Sequence, residues 1–225
     1  MTEEYTCVEC ECLYDNTDGD TDERMCNKCL NIVPSDNYDH YEAIKDAVRL
    51  LLLGIGHPAD DPNIAETPDR VAKMFQVLLS GYTADPKKHL KVFPSDSDEM
   101  VIVRNIPFYS YCAHHIQPFY GKFTIAYVPE GEVLGLSKLV RIAREFSKKL
   151  QVQEDLTRDV AEFLFENVKC NGVAVNVRAQ HMCMVVRGVR SYGAETVTTK
   201  LLGSLKTDAV LRGEFYQSLS DKEGY

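Results

Sequence analysis

The chain has 225 residues, with 25 Lys+Arg against 34 Asp+Glu, 44% hydrophobic residues, no Trp and eight Cys. That length suits one or two domains, and a net charge of −9 excludes a general nucleic-acid binder, which needs a basic surplus to neutralise phosphates. The longest apolar run, Leu50–Leu53 with Ile55 beyond a glycine, falls far short of the roughly 20 residues of a membrane span. No basic-then-apolar leader precedes it, so a cytoplasmic chain with reduced thiols is expected.

The excess charge is confined to one end. Residues 1–40 hold 11 acidic and two basic side chains, while the remainder carries 23 of each sign. Five of the eight cysteines also lie there, and four read Cys7-x2-Cys10-x15-Cys26-x2-Cys29. Each Cys-x2-Cys pair can aim two thiolates at one ion, and two pairs complete the closed tetrahedral shell of a structural zinc. So short and polar a segment buries too little surface to fold unaided, and metal binding would supply its folding free energy. Residues 1–37 are therefore expected to form an acidic zinc-ribbon-like module. The Asp15–Glu23 acidic run between the pairs fails the calcium-loop spacing, because setting Gly19 at the sixth position puts Tyr14 at the first. A negative module repels nucleic acid, so its expected contact is another protein or subunit, or its role is purely structural.

Residues 38–99 read as a helical region. Ile44, Ala47, Val48, Leu51, Leu52 and Ile55 recur at helical spacing and stop near Gly54 or Gly56. Thr67-Pro68 looks like an N-cap followed by proline in the first turn, with Val71, Met74, Phe75, Leu78 and Leu79 as a buried stripe before Gly81. Within residues 100–225, segments 100–111 and 119–128 are rich in Val, Ile, Phe, Tyr and Thr and predict strands. Segments 137–150 and 154–168 predict helices, and 172–179 and 182–189 two more strands. This order gives an α+β class: an antiparallel sheet with two helices packed on one face.

Outside the module only Cys112, Cys170 and Cys183 remain, and two lie beside histidines, in Cys112-Ala-His-His115 and Gln180-His-Met-Cys183. Imidazole and thiolate are preferred zinc donors, and three protein ligands with an open fourth position make a hydrolytic site. Cys112 and His115 can reach one ion from a strand end and the turn after it, with Cys183 supplied by a distant strand. His114 and His181 are then left without a metal and suit proton transfer near neutral pH.

Several segments together resemble type I GTP cyclohydrolase. They are Thr67-Pro-Asp-Arg70, Phe108-Tyr-Ser-Tyr-Cys-Ala-His-His115, Pro118-Phe-Tyr-Gly-Lys122, Gly135-Leu-Ser-Lys-Leu-Val-Arg141, Gln151-Val-Gln-Glu154 and His181-Met-Cys-Met-Val-Val-Arg-Gly188. The resemblance runs in order from about residue 40 to about 218, and the acidic module lies outside it. It implies the tunnelling fold, closed into rings of subunits, typically two stacked pentamers, with active sites between subunits and GTP as substrate. It implies one catalytic zinc on Cys112, His115 and Cys183, activating water for attack at C8 of guanine, beside the structural zinc expected on Cys7, Cys10, Cys26 and Cys29. His114 and His181 match proton-handling residues, with Ser137 and Gln153 also at catalytic pocket positions. Glu154 matches the carboxylate that accepts from the guanine edge. Lys138, Arg141 and Arg187 match a triphosphate clamp, extended by Arg70 and Lys73. The implied products are formate and 7,8-dihydroneopterin triphosphate.

Physical chemistry supports the clamp independently. A triphosphate carries about four negative charges and calls for guanidinium and ammonium donors, and Lys138 and Arg141, three apart, share a helical face. One position departs from the family's usual Cys-Glu-His-His, because residue 113 is Ala. A glutamate there could orient an imidazole, and losing such a group can cost about 10–100-fold in metal affinity or activity. The expectation is an active enzyme with altered pH dependence or substrate preference, the alternative a silent nucleotide-binding or regulatory protein. A nitrile reductase of queuosine synthesis would use a lone cysteine and a nicotinamide cofactor rather than a Cys/His/Cys set. A zinc deaminase would need His-x-Glu with Pro-Cys-x2-Cys, which is absent.

Overall fold

The computed structural model describes residues 4–6, 13–15, 19–20, 25–26, 39–58 and 61–220. The chain divides into two compact units, residues 1–73 and 74–225. In the first, β1 (Glu4–Thr6) pairs antiparallel with β2 (Leu13–Asp15), and β3 (Gly19–Asp20) with β4 (Met25–Cys26). Of the expected structural zinc ligands, Cys7, Cys10 and Cys29 lie outside the described residues, and Cys26 enters only as the backbone partner of Gly19. Helix α1 (His40–Gly54) starts at Asp39, whose carboxylate accepts from the amides of Tyr41 at 2.9 Å and Glu42 at 3.3 Å, as a good N-cap should. Within its unit Val48 is the buried residue of α1, and Leu50, Leu51, Leu53 and Ile55 are exposed.

Helix α2 (Thr67–Leu78) begins where Thr67-Pro68 predicts and crosses the boundary between the units. The expected stripe is not buried as a whole: Val71, Phe75, Leu78 and Leu79 are half-buried, Met74 is 42% exposed, and the buried residues of the helix are Pro68 and Ala72. Two 3₁₀ turns, Ser80–Tyr82 and Pro86–His89, lead into β5 (Val92–Pro94).

The second unit is organised by three 12-residue strands, β6 (Val101–Cys112), β7 (Pro118–Pro129) and β10 (Cys170–His181). Between β7 and β10 come β8 (Glu132–Leu134), α3 (Leu136–Ser147), β9 (Leu150–Gln151) and α4 (Gln153–Asn167). After β10 follow α5 (Met182–Val185), β11 (Thr196–Gly203), α6 (Ser204–Thr207) and α7 (Ala209–Ser220). The five-stranded order is β11-β10-β7-β6-β9, antiparallel except that β9 joins β6 in parallel through Tyr111↔Leu150 and Cys112↔Gln151. Alternation along the strands sends Phe123, Ile125, Tyr127, Val173, Val175 and Val177 into one core with Leu139 and Ile142 of α3 and Leu156, Val160 and Leu164 of α4. The two expected helices do pack on one face.

Two expectations need correction, and the far side of the sheet adds a feature beyond them. The parallel β9 makes the sheet mixed at one edge. The opposite face is covered too, since Ala126, Val128 and Ala174 pack with Leu205 and Phe215 of the C-terminal helices. Segment 182–189 is not a strand: it forms the short α5, and the last strand is β11. An apolar run such as Met182–Val186 fits helix and strand patterns equally well. Here positive φ at Gly188, Arg190 and Gly193 turns the chain back so that Thr196 pairs with Ala179. No helix among the described residues is long and apolar enough to cross a membrane.

Gly121, in the Pro118–Lys122 motif, shows how tightly the central strands meet. A Cβ there would stand 1.8 Å from the carbonyl oxygen of Arg178 on β10. We expect Gly121→Ala to cost at least about 1–3 kcal/mol, the scale of overpacking in a rigid core, read as a lower thermal midpoint or loss of soluble protein.

Candidate active site

The register of the three long strands builds the site. Ser110 of β6, Phe119 of β7 and His181 of β10 lie in one row across the sheet. Cys112 is two residues beyond Ser110, and Cys183 two beyond His181, so both thiols reach the same end of the sheet. The turn from β6 to β7 is closed by the Cys112 amide donating to the Gln117 carbonyl at 2.9 Å and the Ile116 amide to that of Cys112 at 2.9 Å. Ile116 adopts φ +51°, a strained conformation for a β-branched residue. The turn brings His115 back over Cys112, with Nδ1 4.0 Å from Sγ.

The ligand atoms of Cys112, His115 and Cys183 all lie within 4.8 Å of one another. Two thiols and an imidazole are a soft donor set suited to zinc, and three ligands leave a coordination position open. Burial, and then the nearby Cys112, push the Cys183 thiol above its ordinary pKa. A divalent cation would reverse that effect by favouring the thiolate. The residues therefore fit the metal that the sequence implies.

Behind Cys112, a buried polar chain fixes the strand end. The Ser110 hydroxyl donates to the Lys149 carbonyl at 3.1 Å, and Gln151 Nε2 donates to Ser110 Oγ at 3.0 Å and the Phe146 carbonyl at 2.8 Å. The Ala113 amide donates to the Gln151 carbonyl at 3.3 Å, leaving the Ala113 side chain exposed. His114 is also exposed, with Nδ1 3.9 Å from Cys112 Sγ.

His181 is held on two sides. Its ring stacks on that of buried Phe119, with centroids 4.6 Å apart and planes 1° from parallel. Its Nε2 lies 2.9 Å from Oε1 of Gln153, a residue only 1% exposed. Gln153 Nε2 faces the carbonyls of Val177 at 3.1 Å and Thr196 at 3.0 Å, which can only accept, and Thr198 Oγ1 at 3.0 Å. The amide orientation follows, so Oε1 is an acceptor and His181 Nε2 carries the proton, leaving the lone pair on Nδ1. Burial lowers the pKa of His181, opposed by the charge of Glu154, and the net direction is down.

The predicted residues are thus gathered unequally. Cys112, His115, Cys183, His114, His181 and Gln153 cluster at one end of the sheet, with exposed Glu154 beside Gln153 at the start of α4. Arg187 joins this group rather than the other cations, its Nη1 lying 2.7 Å from His115 Nε2. Ser137, Lys138 and Arg141 stand on the first turns of α3, whose far end leads through β9 to Cys112. Ser137 and Ser147 are ten residues apart, roughly 15 Å along the axis. In the other unit, Arg70 pairs with Glu66 at 2.6 Å and Lys73 with Asp69 at 2.5 Å. Sequence reasoning missed Phe119, Ser110 and Gln151. Only the polar Ser110 inside an otherwise aromatic strand end hinted at any of them.

The cavities of the second unit include two small ones. One of about 270 Å³ is lined by Pro107, Phe108, Tyr109, Arg144, Ser147 and Lys148. One of about 180 Å³ is lined by Glu154, Thr157, Arg158, Thr198, Thr199 and Lys200. Both fall below the roughly 300–1,000 Å³ of ordinary small-molecule sites.

A Cys/His/Cys metal set flanked by two further imidazoles, on a largely antiparallel sheet backed by helices, defines the class as a candidate metallohydrolase. A family model described as GTP cyclohydrolase I matches residues 44–220. Among curated relatives, GTP cyclohydrolase 1 of Bacillus cytotoxicus is 48% identical over 186 residues, covering 80% of this chain and 97% of the relative. GTP cyclohydrolase 1 of Clostridium kluyveri is 43% identical over 180 residues, with the same 80% and 97% coverage. The chain belongs to the GTP cyclohydrolase I family. A solved archaeosine synthase QueF-Like in its apo form matches 48% of this chain and 97% of its own at 18% identity and a TM-score of 0.41, too distant to bear on function.

Proposed function

We propose that the protein hydrolyses GTP at C8 of the guanine, releases formate and rearranges the remainder to 7,8-dihydroneopterin triphosphate. The observation that carries this reading is the convergence of Cys112, His115 and Cys183 within 4.8 Å at the strand end that also holds His181. A zinc ion on those three residues supplies Lewis acidity and lowers the pKa of water to near neutrality. The protein's own groups do the rest. His181, neutral with its lone pair on Nδ1, accepts and returns a proton during ring opening, and exposed His114 serves as a second proton carrier. Glu154 accepts from the guanine edge and so orients C8. Ser137 belongs to the same pocket. Lys138, Arg141 and Arg187 bind the triphosphate, with Arg70 and Lys73 extending the clamp.

The separation of Ser137, Lys138 and Arg141 from the metal set along α3 supports a site completed by further copies. We assign a homo-oligomer of two stacked pentamers working in the cytoplasm. The Cys7, Cys10, Cys26 and Cys29 quartet would hold a second, structural zinc in a module that contacts another subunit or protein.

Incubation of the zinc-loaded protein with GTP should yield formate and a pterin that fluoresces after oxidation. Absence of both would overturn the reading. Ala113 favours a second version in which activity is tuned rather than lost, since its amide is pinned to the Gln151 carbonyl and its side chain is exposed beside Cys112 and His114 in the chain. Ala113→Glu is expected to raise kcat/KM by up to about tenfold and move the pH profile, the scale on which a carboxylate orients a neighbouring imidazole. An unchanged profile would show that residue 113 has no such part.

A further inference from the structure

The segment from Ser80 to Pro94 lies as a strap along α3. At the far end of the helix, the Gly81 amide donates to the Lys148 carbonyl at 3.0 Å, and a Cβ on Gly81 would stand 2.7 Å from the carbonyl oxygens of Glu145 and Lys148. Tyr82 adds a bond in each direction to Leu150, its hydroxyl donating to the carbonyl at 3.3 Å and accepting from the amide at 3.2 Å. At the near end, the Gly135 amide donates to the Lys91 carbonyl at 3.0 Å, and β5 pairs with β8 through Val92↔Leu134. Between these anchors, Lys88 Nζ and His89 Nε2 each lie 3.2 Å from a separate oxygen of Glu145.

Glu145 is half of an unusual contact for a surface helix. Its side chain is only 12% exposed, and burial alone would raise its pKa, yet His89, Lys88 and the nearby Lys148 hold the carboxyl below its ordinary value. It is ionised and bound on both oxygens. Lys138, Arg141 and Glu145 follow i, i+3, i+7 spacing and share one stripe of α3. Leu139 and Ile142 seat one face of α3 in the core, and a helix also gripped at both ends and at one point on this stripe has little remaining freedom to rotate about its axis. Rotation is what would carry Lys138 and Arg141 away from a bound phosphate chain.

We propose that Glu145 is a positioning residue, which fixes the rotation of α3 through Lys88 and His89 and so aims Lys138 and Arg141 at the triphosphate. The inference rests on the clamp assigned above. It makes binding depend on a residue that never touches the substrate, and it gives the Lys88-His89 pair a purpose beyond the surface.

Steady-state kinetics with GTP and zinc-loaded protein test this. Glu145→Ala is expected to raise KM about tenfold with kcat within about twofold, the scale of one lost charge-assisted hydrogen bond. Glu145→Gln, which keeps an acceptor for Lys88 or His89, should recover most of the loss. The strap-side variant Lys88→Ala with His89→Ala should reproduce the rise in KM, and it decides the matter if Glu145→Ala does not fold. Arg141→Ala is the reference. If Arg141→Ala raises KM and the Glu145 and strap variants do not, the positioning role is wrong and the clamp stands. If Arg141→Ala also leaves KM unchanged, the clamp itself is wrong. A lower melting temperature with unchanged KM, or a fall in kcat alone, likewise overturns the positioning role.

Discussion

Cys112→Ala and Cys183→Ala are each expected to reduce zinc content at the catalytic site to near zero and turnover by at least about three orders of magnitude. The size follows from the several kcal/mol of charge stabilisation that a bound zinc contributes, with each factor of ten worth about 1.4 kcal/mol. With either thiol gone, His115 and one sulfur remain, too few to hold zinc in a site with an open position. Cys112 is buried at 6% exposure, so its removal also trims packing at the strand end, whereas Cys183 is only half-buried on the short α5. Cys183→Ala is thus the cleaner variant. Elemental analysis per chain, alongside a melting curve, separates metal loss from unfolding. Retention of full zinc and activity by Cys183→Ala would exclude it from the metal set.

The second large effect concerns His181. His181→Ala should lower kcat by roughly 10²–10⁴-fold, the usual contribution of a positioned acid–base group. Gln153→Leu should cost about 10–100-fold through the imidazole it orients, because the Nε2 proton loses its acceptor and the ring loses its fixed tautomer. A pH profile adds a signed test. Burial holds the pKa of His181 below its ordinary value, and the Glu154 charge partly restores it. The neutral, proton-accepting form therefore persists to lower pH than in a free histidine. The acid limb of kcat/KM should lie below the ordinary histidine pKa and fall further in Glu154→Gln. An acid limb above that value, or one that rises in Glu154→Gln, would exclude His181 as the titrating base.

Much of this arrangement was legible in one dimension, and the reasons are physical. The metal set could be read because Cys112 and His115 sit within a single turn and because thiol and imidazole are preferred zinc donors. The helices α3 and α4 were legible from apolar residues such as Leu139, Ile142, Val160 and Leu164, which recur at helical spacing and are buried as the pattern requires. The failures arise where the period carries no information. Met182–Val186 is uniformly apolar, so nothing local distinguishes the short helix from a strand, and the glycine-rich turn behind it decides. β11, rich in Thr with a central Lys200, was overlooked although it pairs along β10 from Gly172 to Ala179. The roles of Gln153 and Phe119 could not be read locally, because a buried amide or a stacked ring acquires its function only from strands brought alongside it. Lys138 and Arg141 were recognisable as a pair, but their distance from the metal set within one chain is a property of the fold.

The proposed reaction opens the imidazole ring of GTP at a zinc site built on Cys112, His115 and Cys183. GTP carrying an isotopic label at C8 tests it most directly. With zinc-loaded protein, one labelled formate is expected for each GTP consumed, with an unlabelled pterin triphosphate in equal amount and loss of both products on chelation. Label retained in the purine, or release of phosphate in place of formate, would contradict it.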